Sequence, residues 1–191
     1  LRSKIDLEDI SEKFDVVVGF GCNIHSSVGL TGDPGKTIQV SNGVIMVDPR
    51  LETMGLRMLL MKNSPPTFGQ LKECDNNDYE LLRITSGVPD GVQDMQFQKT
   101  ILLEAGFEEL NGINWNKGCY MGQELTARTK YRGLIKRRLI PVSVDGTLPE
   151  PGTLIMFGEK EAGEIRSGVG NAAIALMRLN ILEEWSRLGG E

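Results

Sequence analysis

The stretch Lys117-Gly118-Cys119-Tyr120-Met121-Gly122-Gln123-Glu124 carries most of what this sequence says about its fold. Gly118 and Gly122 flank a tight turn and leave its backbone open to close approach by another group. From about Gly122 to Tyr131 the chain then reads as a helix. Cys119 therefore lies just ahead of a helix start, where free N–H groups and the positive end of the dipole gather, and Lys117 adds a second positive charge. Both favour the thiolate, so a lowered thiol pKa is expected at Cys119. The competing reading is a buried, inert cysteine beside a helix start, and local physics alone does not choose between them.

Outward from that turn the charge is lopsided. Lys117, Arg128, Lys130, Arg132, Lys136, Arg137 and Arg138 face a single acid, Glu124, between Lys117 and Arg138. The whole chain of 191 residues is nonetheless acidic, with a formal net charge of −5, so bulk steering toward nucleic acid is not expected. A basic island on an acidic protein fits a local anion site, a solvated helix face, or a patch for RNA or a protein partner. RNA is the weakest of these, because stacking aromatics there are limited to Tyr120 and Tyr131. Lys136-Arg137-Arg138, entering a strand, reads as a solvated edge that discourages stray strand pairing.

Upstream, Phe14–Phe20 is rich in valine and closed by glycines, and Gly43–Val47 and Leu56–Met61 read as further strands. Between the last two, the proline of Asp48-Pro49-Arg50-Leu51 fixes a turn. Ser26–Lys36 reads as an irregular loop, and Asn63–Gly69, with Pro65-Pro66, as a linker. Asn77–Ser86 is predicted helical, capped by Asn76 or Asn77, stopped by Gly87 and followed by Pro89. Downstream, Arg138–Val144, Gly152–Phe157 and Ala162–Gly168 have the spacing of a small antiparallel barrel or sandwich. The tail Ala172–Leu188 fits strand then helix, without the pattern deciding it.

Composition closes off several classes. With 40% hydrophobic and 25% charged residues the chain can build one large core or two small ones, and collagen-like, disordered and disulfide-scaffold readings fall away. No uninterrupted apolar window approaches the length of a membrane span. Cys22, Cys74 and Cys119 are odd in number and widely spaced. That argues for a reducing compartment and against a structural zinc or a self-contained iron–sulfur site, so no metal site is expected. His25 is the only histidine; it reads as a loop residue, and any Cys-His or Ser-His-Asp mechanism would have to pass through it.

The motif around Cys119, followed by Thr126-Ala127-Arg128 and Arg132-Gly133, closely resembles that of the YgfZ family. These are folate-binding, aminomethyltransferase-like proteins that include a mitochondrial iron–sulfur assembly factor. Asp48-Pro49-Arg50-Leu51 with Gly55 and Arg57 resembles a second family segment, and Tyr79 to Pro89, with Arg83 and Gly87, a third. Leu1-Arg2-Ser3-Lys4 resembles a stretch that normally follows an N-terminal lobe, so a preceding segment is expected.

The resemblance implies an α+β fold shared with the glycine-cleavage T-protein: lobes around a central folate-binding opening, closed by a C-terminal antiparallel β-barrel. The expected division is 1–65, the remainder of an N-terminal lobe; 66–133, a central lobe carrying the motif; and 134–191, the barrel. It also implies tetrahydrofolate, or a one-carbon derivative, as the cofactor. Glu104 in Leu103-Glu104-Ala105-Gly106 matches the string whose acid holds the pterin, and a carboxylate suits the two N–H groups of a 2-aminopyrimidine edge. Glu124, Arg128 and Arg132 are assigned to the folate as well, and Cys119 with Lys117 to the chemistry. The implied function is an accessory factor for assembling or repairing [4Fe–4S] enzymes, including radical enzymes that modify tRNA. The alternative is a folate-dependent aminomethyl- or methyltransferase. The partners expected are folate and iron–sulfur client or assembly proteins, with neither nucleic acid nor membrane. One thiol cannot hold a cluster alone, so further ligands would come from a partner, a second chain or a small thiol. Bacterial cytoplasm is preferred, with the mitochondrial matrix as the alternative.

Overall fold

The computed structural model describes residues 4–64 and 71–188. The expected linker prolines, Pro65-Pro66, and the first three residues of the LRSK stretch lie outside the described residues. Contacts divide the chain into two units, Leu1–Glu73 and Cys74–Glu191.

The first unit is an antiparallel sheet of β1 (Phe14–Gly19), β2 (Thr37–Val40), β3 (Gly43–Val47) and β4 (Leu56–Met61), in the order β1-β4-β3-β2. β3 and β4 have the bounds that the apolar runs predict. β2 was not foreseen, and the short helix α1 (Ile24–Ser27) begins two residues ahead of the expected loop. The sheet is apolar on one face: Ile45, Val47, Leu56, Met58 and Leu60 form a core that Ile24 and Leu30 cover. The Asp48 turn closes this sheet. Asp48 is 1% exposed; its N–H donates to the Gly55 carbonyl at 2.8 Å, and its carboxylate accepts from Arg50 Nε at 2.9 Å and Arg50 Nη2 at 2.7 Å. Gly55 has φ 74°, and a Cβ there would lie 2.2 Å from the Gly19 carbonyl oxygen, so the turn passes β1 too closely for any side chain.

The second unit begins with α2 (Asn76–Thr85). Its cap is Asp75 rather than either asparagine. Asp75 Oδ1 accepts from Asn77 N at 2.9 Å and Asp78 Oδ2 accepts from Asp75 N at 3.2 Å, a reciprocal capping box. A helix α3 (Gln123–Tyr131) follows, then β5 (Arg137–Ser143), β6 (Leu154–Phe157), β7 (Lys160–Val169), β8 (Ala172–Arg178) and α4 (Leu179–Arg187). The strands pair antiparallel in the order β5-β8-β7-β6, with no pairing between β5 and β6. One face of this sheet meets α4 around Ala162, Ile165, Ala175, Met177 and Ile181. On the other face Ile84 of α2 shares a core with Ala105, Leu139, Ala172 and Ile174. Residues 74–133 and the C-terminal sheet thus belong to one unit, and the contacts place no division near residue 133. The chain is a mixed α and β protein whose C-terminal part is an antiparallel sheet domain.

Candidate functional site

The backbone of the motif turn favours glycine at Gly122. Gly122 is the N-cap of α3 with φ 85°, in the left-handed region, and nothing lies within 4 Å of where a Cβ would stand at Gly118 or Gly122. The space over the turn is therefore open. Cys119 is exposed and makes no hydrogen bond among the described residues, which removes the buried, inert reading. Tyr120 N donates to Gln123 Oε1 at 3.3 Å, and Lys117 Nζ lies 4.4 Å from the Tyr120 ring centroid.

Behind the turn, α3 is tied back to the preceding segment. Glu108 Oε1 accepts from Trp115 Nε1 at 3.2 Å and from Lys130 Nζ, which lies 4.3 Å from the Trp115 ring centroid. The Lys130 hydrogen bond, with help from Trp115, holds the Glu108 carboxyl below the usual carboxylate range. Tyr131 packs on Trp115 with ring centroids 6.3 Å apart. Arg128 pairs with Glu124 at 3.0 Å, and Arg138 pairs with Glu109. Three of the seven basic residues of the island, Arg128, Lys130 and Arg138, are therefore matched by acids.

Glu104 lies elsewhere in the same unit. Leu103 and Ala105 on either side are 2% and 1% exposed, and the Glu104 carbonyl accepts from Leu139 N at 2.8 Å, which fixes this segment to β5. Glu104 lines a polar cleft of about 190 Å³. Leu139 and Leu176, paired across β5 and β8, give it an apolar wall, and Lys99, Arg137, Glu164 and Arg166 give it charge. Arg166 Nη1 pairs with Glu164 Oε1 at 3.0 Å, while Arg166 Nε is buried without a hydrogen-bond partner. Of the residues assigned to folate, Glu104 alone lines this cleft; Glu124, Arg128 and Arg132 belong to α3 and its C-cap.

Sequence reasoning missed Lys99, Glu164 and Arg166 and took Arg137 for a solvated edge. The available signal was the i, i+2 spacing of Glu164 and Arg166, which sends two charges to the same face of a strand. His25 falls in α1, within the first unit. A larger cavity of about 730 Å³ opens between the sheet and α4, and its walls are mainly apolar, with Ile140, Val142, Phe157, Met177 and Trp185 among them. Among the described residues no group of three or more His, Cys, Asp or Glu side chains is placed to hold a metal ion, and no helix is long and apolar enough to cross a membrane.

Comparison with known proteins adds two findings. Residues 136–189, the C-terminal sheet and α4, match the family model described as CAF17, C-terminal beta-barrel domain. Curated relatives carry the name iron–sulfur cluster assembly factor IBA57. The chain is 37% identical to the mitochondrial factor of Mus musculus over 141 residues, 71% of this chain and 39% of the relative. It is 36% identical to the mitochondrial homolog of Dictyostelium discoideum over 148 residues, 74% of this chain and 35% of the relative. It is 29% identical to the mitochondrial homolog of Mycosarcoma maydis over 220 aligned positions, 97% of this chain and 52% of the relative. The chain thus spans between about a third and a half of the length of these relatives. All three names include the word mitochondrial, and none supports the preference for bacterial cytoplasm.

Proposed function

We propose that this protein is a tetrahydrofolate-binding accessory factor for the assembly or repair of iron–sulfur enzymes, acting in the mitochondrial matrix. The observation that carries this reading is Cys119: an exposed thiol, without a hydrogen bond among the described residues, on a turn where nothing lies within 4 Å of a Cβ at either flanking glycine. An iron–sulfur cluster is here the cargo. Cluster binding needs about four ligands, and the described residues supply no cluster-binding set of their own, so Cys119 would share a cluster with thiols of a partner or of a small molecule. Lys117, two residues before it, holds its ammonium over the Tyr120 ring. The names of the relatives support the assembly role and the compartment. An effect on tRNA modification would follow through clients that are [4Fe–4S] radical enzymes.

The folate half of the proposal rests on Glu104. A carboxylate at a partly apolar cleft suits the donor edge of a pterin, and Arg166 adds a guanidinium to the same lining. The cleft is below the roughly 300–1,000 Å³ of sites that enclose drug-sized ligands, so it suits the pterin head with the remainder of the folate outside. Bound folate would supply a one-carbon carrier; the chain's own residues bind and orient it.

Calorimetry of tetrahydrofolate binding to the full-length protein, with Glu104→Ala and Cys119→Ala alongside, tests both halves. Saturable binding that weakens in Glu104→Ala and survives in Cys119→Ala is expected. In cells lacking the protein, the wild type restores [4Fe–4S] enzyme activity and Cys119→Ala does not. Consumption of a one-carbon donor in proportion to product would favour the transferase alternative instead.

A further inference from the structure

The cleft that holds Glu104 contains a second group whose chemistry is unspent. Arg166 comes from β7, on the face that also presents Glu164, and its side chain is 11% exposed. One guanidinium nitrogen pairs with Glu164 at 3.0 Å; Nε is buried and donates to nothing. A buried donor without a partner is destabilising in the free protein. Arg166 and Glu104 both line a pocket of about 190 Å³, so a ring bound there meets both residues.

We propose that Arg166 is the residue that selects the 4-oxo form of the pterin ring, an inference that rests on the folate reading of Glu104. When the 2-amino and N3–H groups of a pterin lie on the Glu104 carboxylate, the next position along that edge is the C4 carbonyl. A carbonyl accepts; the Arg166 guanidinium only donates. Glu104 and Arg166 together then read donor, donor, acceptor along one edge of the ring. The 4-amino analogue of tetrahydrofolate places N–H groups where that acceptor stood. It leaves the guanidinium donor unpaired beside a second donor, a mismatch that a hydrogen-bonding site rejects strongly.

The test compares binding of tetrahydrofolate and its 4-amino analogue by calorimetry to the full-length protein, the wild type beside Arg166→Lys and Arg166→Met. Arg166→Lys keeps a cation next to Glu164, which guards the fold, and thermal unfolding confirms that both variants remain folded. The wild type is expected to prefer tetrahydrofolate by roughly 10-fold or more, the scale of one mispaired buried donor. The preference should shrink toward unity in Arg166→Met and fall in Arg166→Lys. The ratio of two affinities within one variant is insensitive to a general loosening of the fold. Equal binding of the two ligands by the wild type, or a ratio unchanged in Arg166→Met, overturns the assignment of Arg166 while leaving the folate reading intact. Absence of tetrahydrofolate binding by the folded wild type overturns the folate reading itself, and this assignment with it.

Discussion

Arg83 Nη1 donates to Asp94 Oδ2 at 2.7 Å, and both residues are 2% exposed. The pair joins three parts of the second unit. Arg83 Nη2 reaches Ser167 Oγ of β7 at 2.9 Å, and Nη1 also reaches the Val88 carbonyl at 2.9 Å. Asp94 Oδ1 accepts from Ser167 N at 3.0 Å, and Oδ2 from Asp90 N at 2.6 Å. Asp94 also lines the Glu104 cleft. The ionic lock that fastens α2 to the sheet therefore forms part of the wall of the candidate site.

Removing Arg83 leaves Asp94 charged, buried and without its cation, whereas removing Asp94 leaves Arg83 paired with Glu80 Oε2 at 2.7 Å. Arg83→Met is expected to lower stability by roughly 3–5 kcal/mol, the range for breaking a buried ion pair from one side, and Asp94→Asn by less, because Glu80 still pairs with Arg83. The double variant should lose clearly less than the two losses combined, because it leaves no orphan charge. Urea unfolding of the four proteins measures the cycle. Additive losses would show that the two side chains act independently.

Acid should find its weak point at Asp48. Burial pushes its pKa up, but the hydrogen bonds from Arg50 and the charges of Arg50 and Arg57 outweigh it and hold the carboxyl below its ordinary value. A carboxylate depressed in the folded state contributes stability above its unfolded pKa of about 3.9, and that contribution is lost as pH falls through the folded value. Stability of the wild type should therefore hold down to about pH 4 and decline below it. Asp48→Asn should be less stable at neutral pH and should show a shallower acid limb. Parallel acid limbs in the two proteins would assign the decline to other carboxylates.

Some of these features were legible in the residues and some were not. β3, β4 and α2 could be read because their apolar runs and the Gly87 stop are local signals. The Asp75 cap was missed because three neighbouring polar residues, Asp75, Asn76 and Asn77, can each cap, and only the reciprocal bond with Asp78 decides among them. β2 was missed because Thr37–Val40, although it alternates polar and apolar, is only four residues long; it exists because β3 offers it an edge. The Cys119 turn was visible as a motif, whereas the Glu104 cleft is assembled from β5, β7, β8 and the 94–105 segment. No window of sequence displays that convergence. Arg137 shows the limit most plainly: a charged strand entrance looks the same in sequence whether it borders solvent or a cleft.

Glycine is required at Gly55 for two reasons at once. Its φ of 74° disfavours any L side chain, and a Cβ would press against the Gly19 carbonyl at 2.2 Å. Gly170 has φ 60° but open space around it. Gly170→Ala is therefore expected to cost only the left-handed penalty, about 1–2 kcal/mol, while Gly55→Ala costs distinctly more. Thermal unfolding of the two variants side by side checks the order, and equal losses would mean that the β1 backbone yields to the added methyl group.

Cluster binding gives the most direct check on the role of Cys119. Cys22, Cys74 and Cys119 are all exposed, so a thiol reagent should modify all three in the native protein, and exposure alone does not single out Cys119. What distinguishes it is its place in the Lys117–Glu124 motif, just ahead of α3, since Gly21 beside Cys22 has open space as well. The purified protein mixed anaerobically with ferrous iron and sulfide, without added thiol, is expected to retain no defined cluster, because the described residues provide no set of ligands. Glutathione or a thiol-bearing assembly partner should complete the coordination and produce visible absorbance on the protein. Cys22→Ala and Cys74→Ala should keep that absorbance, and Cys119→Ala should lose most of it. Full cluster retention by Cys119→Ala would sink the proposal that this thiol meets the cargo.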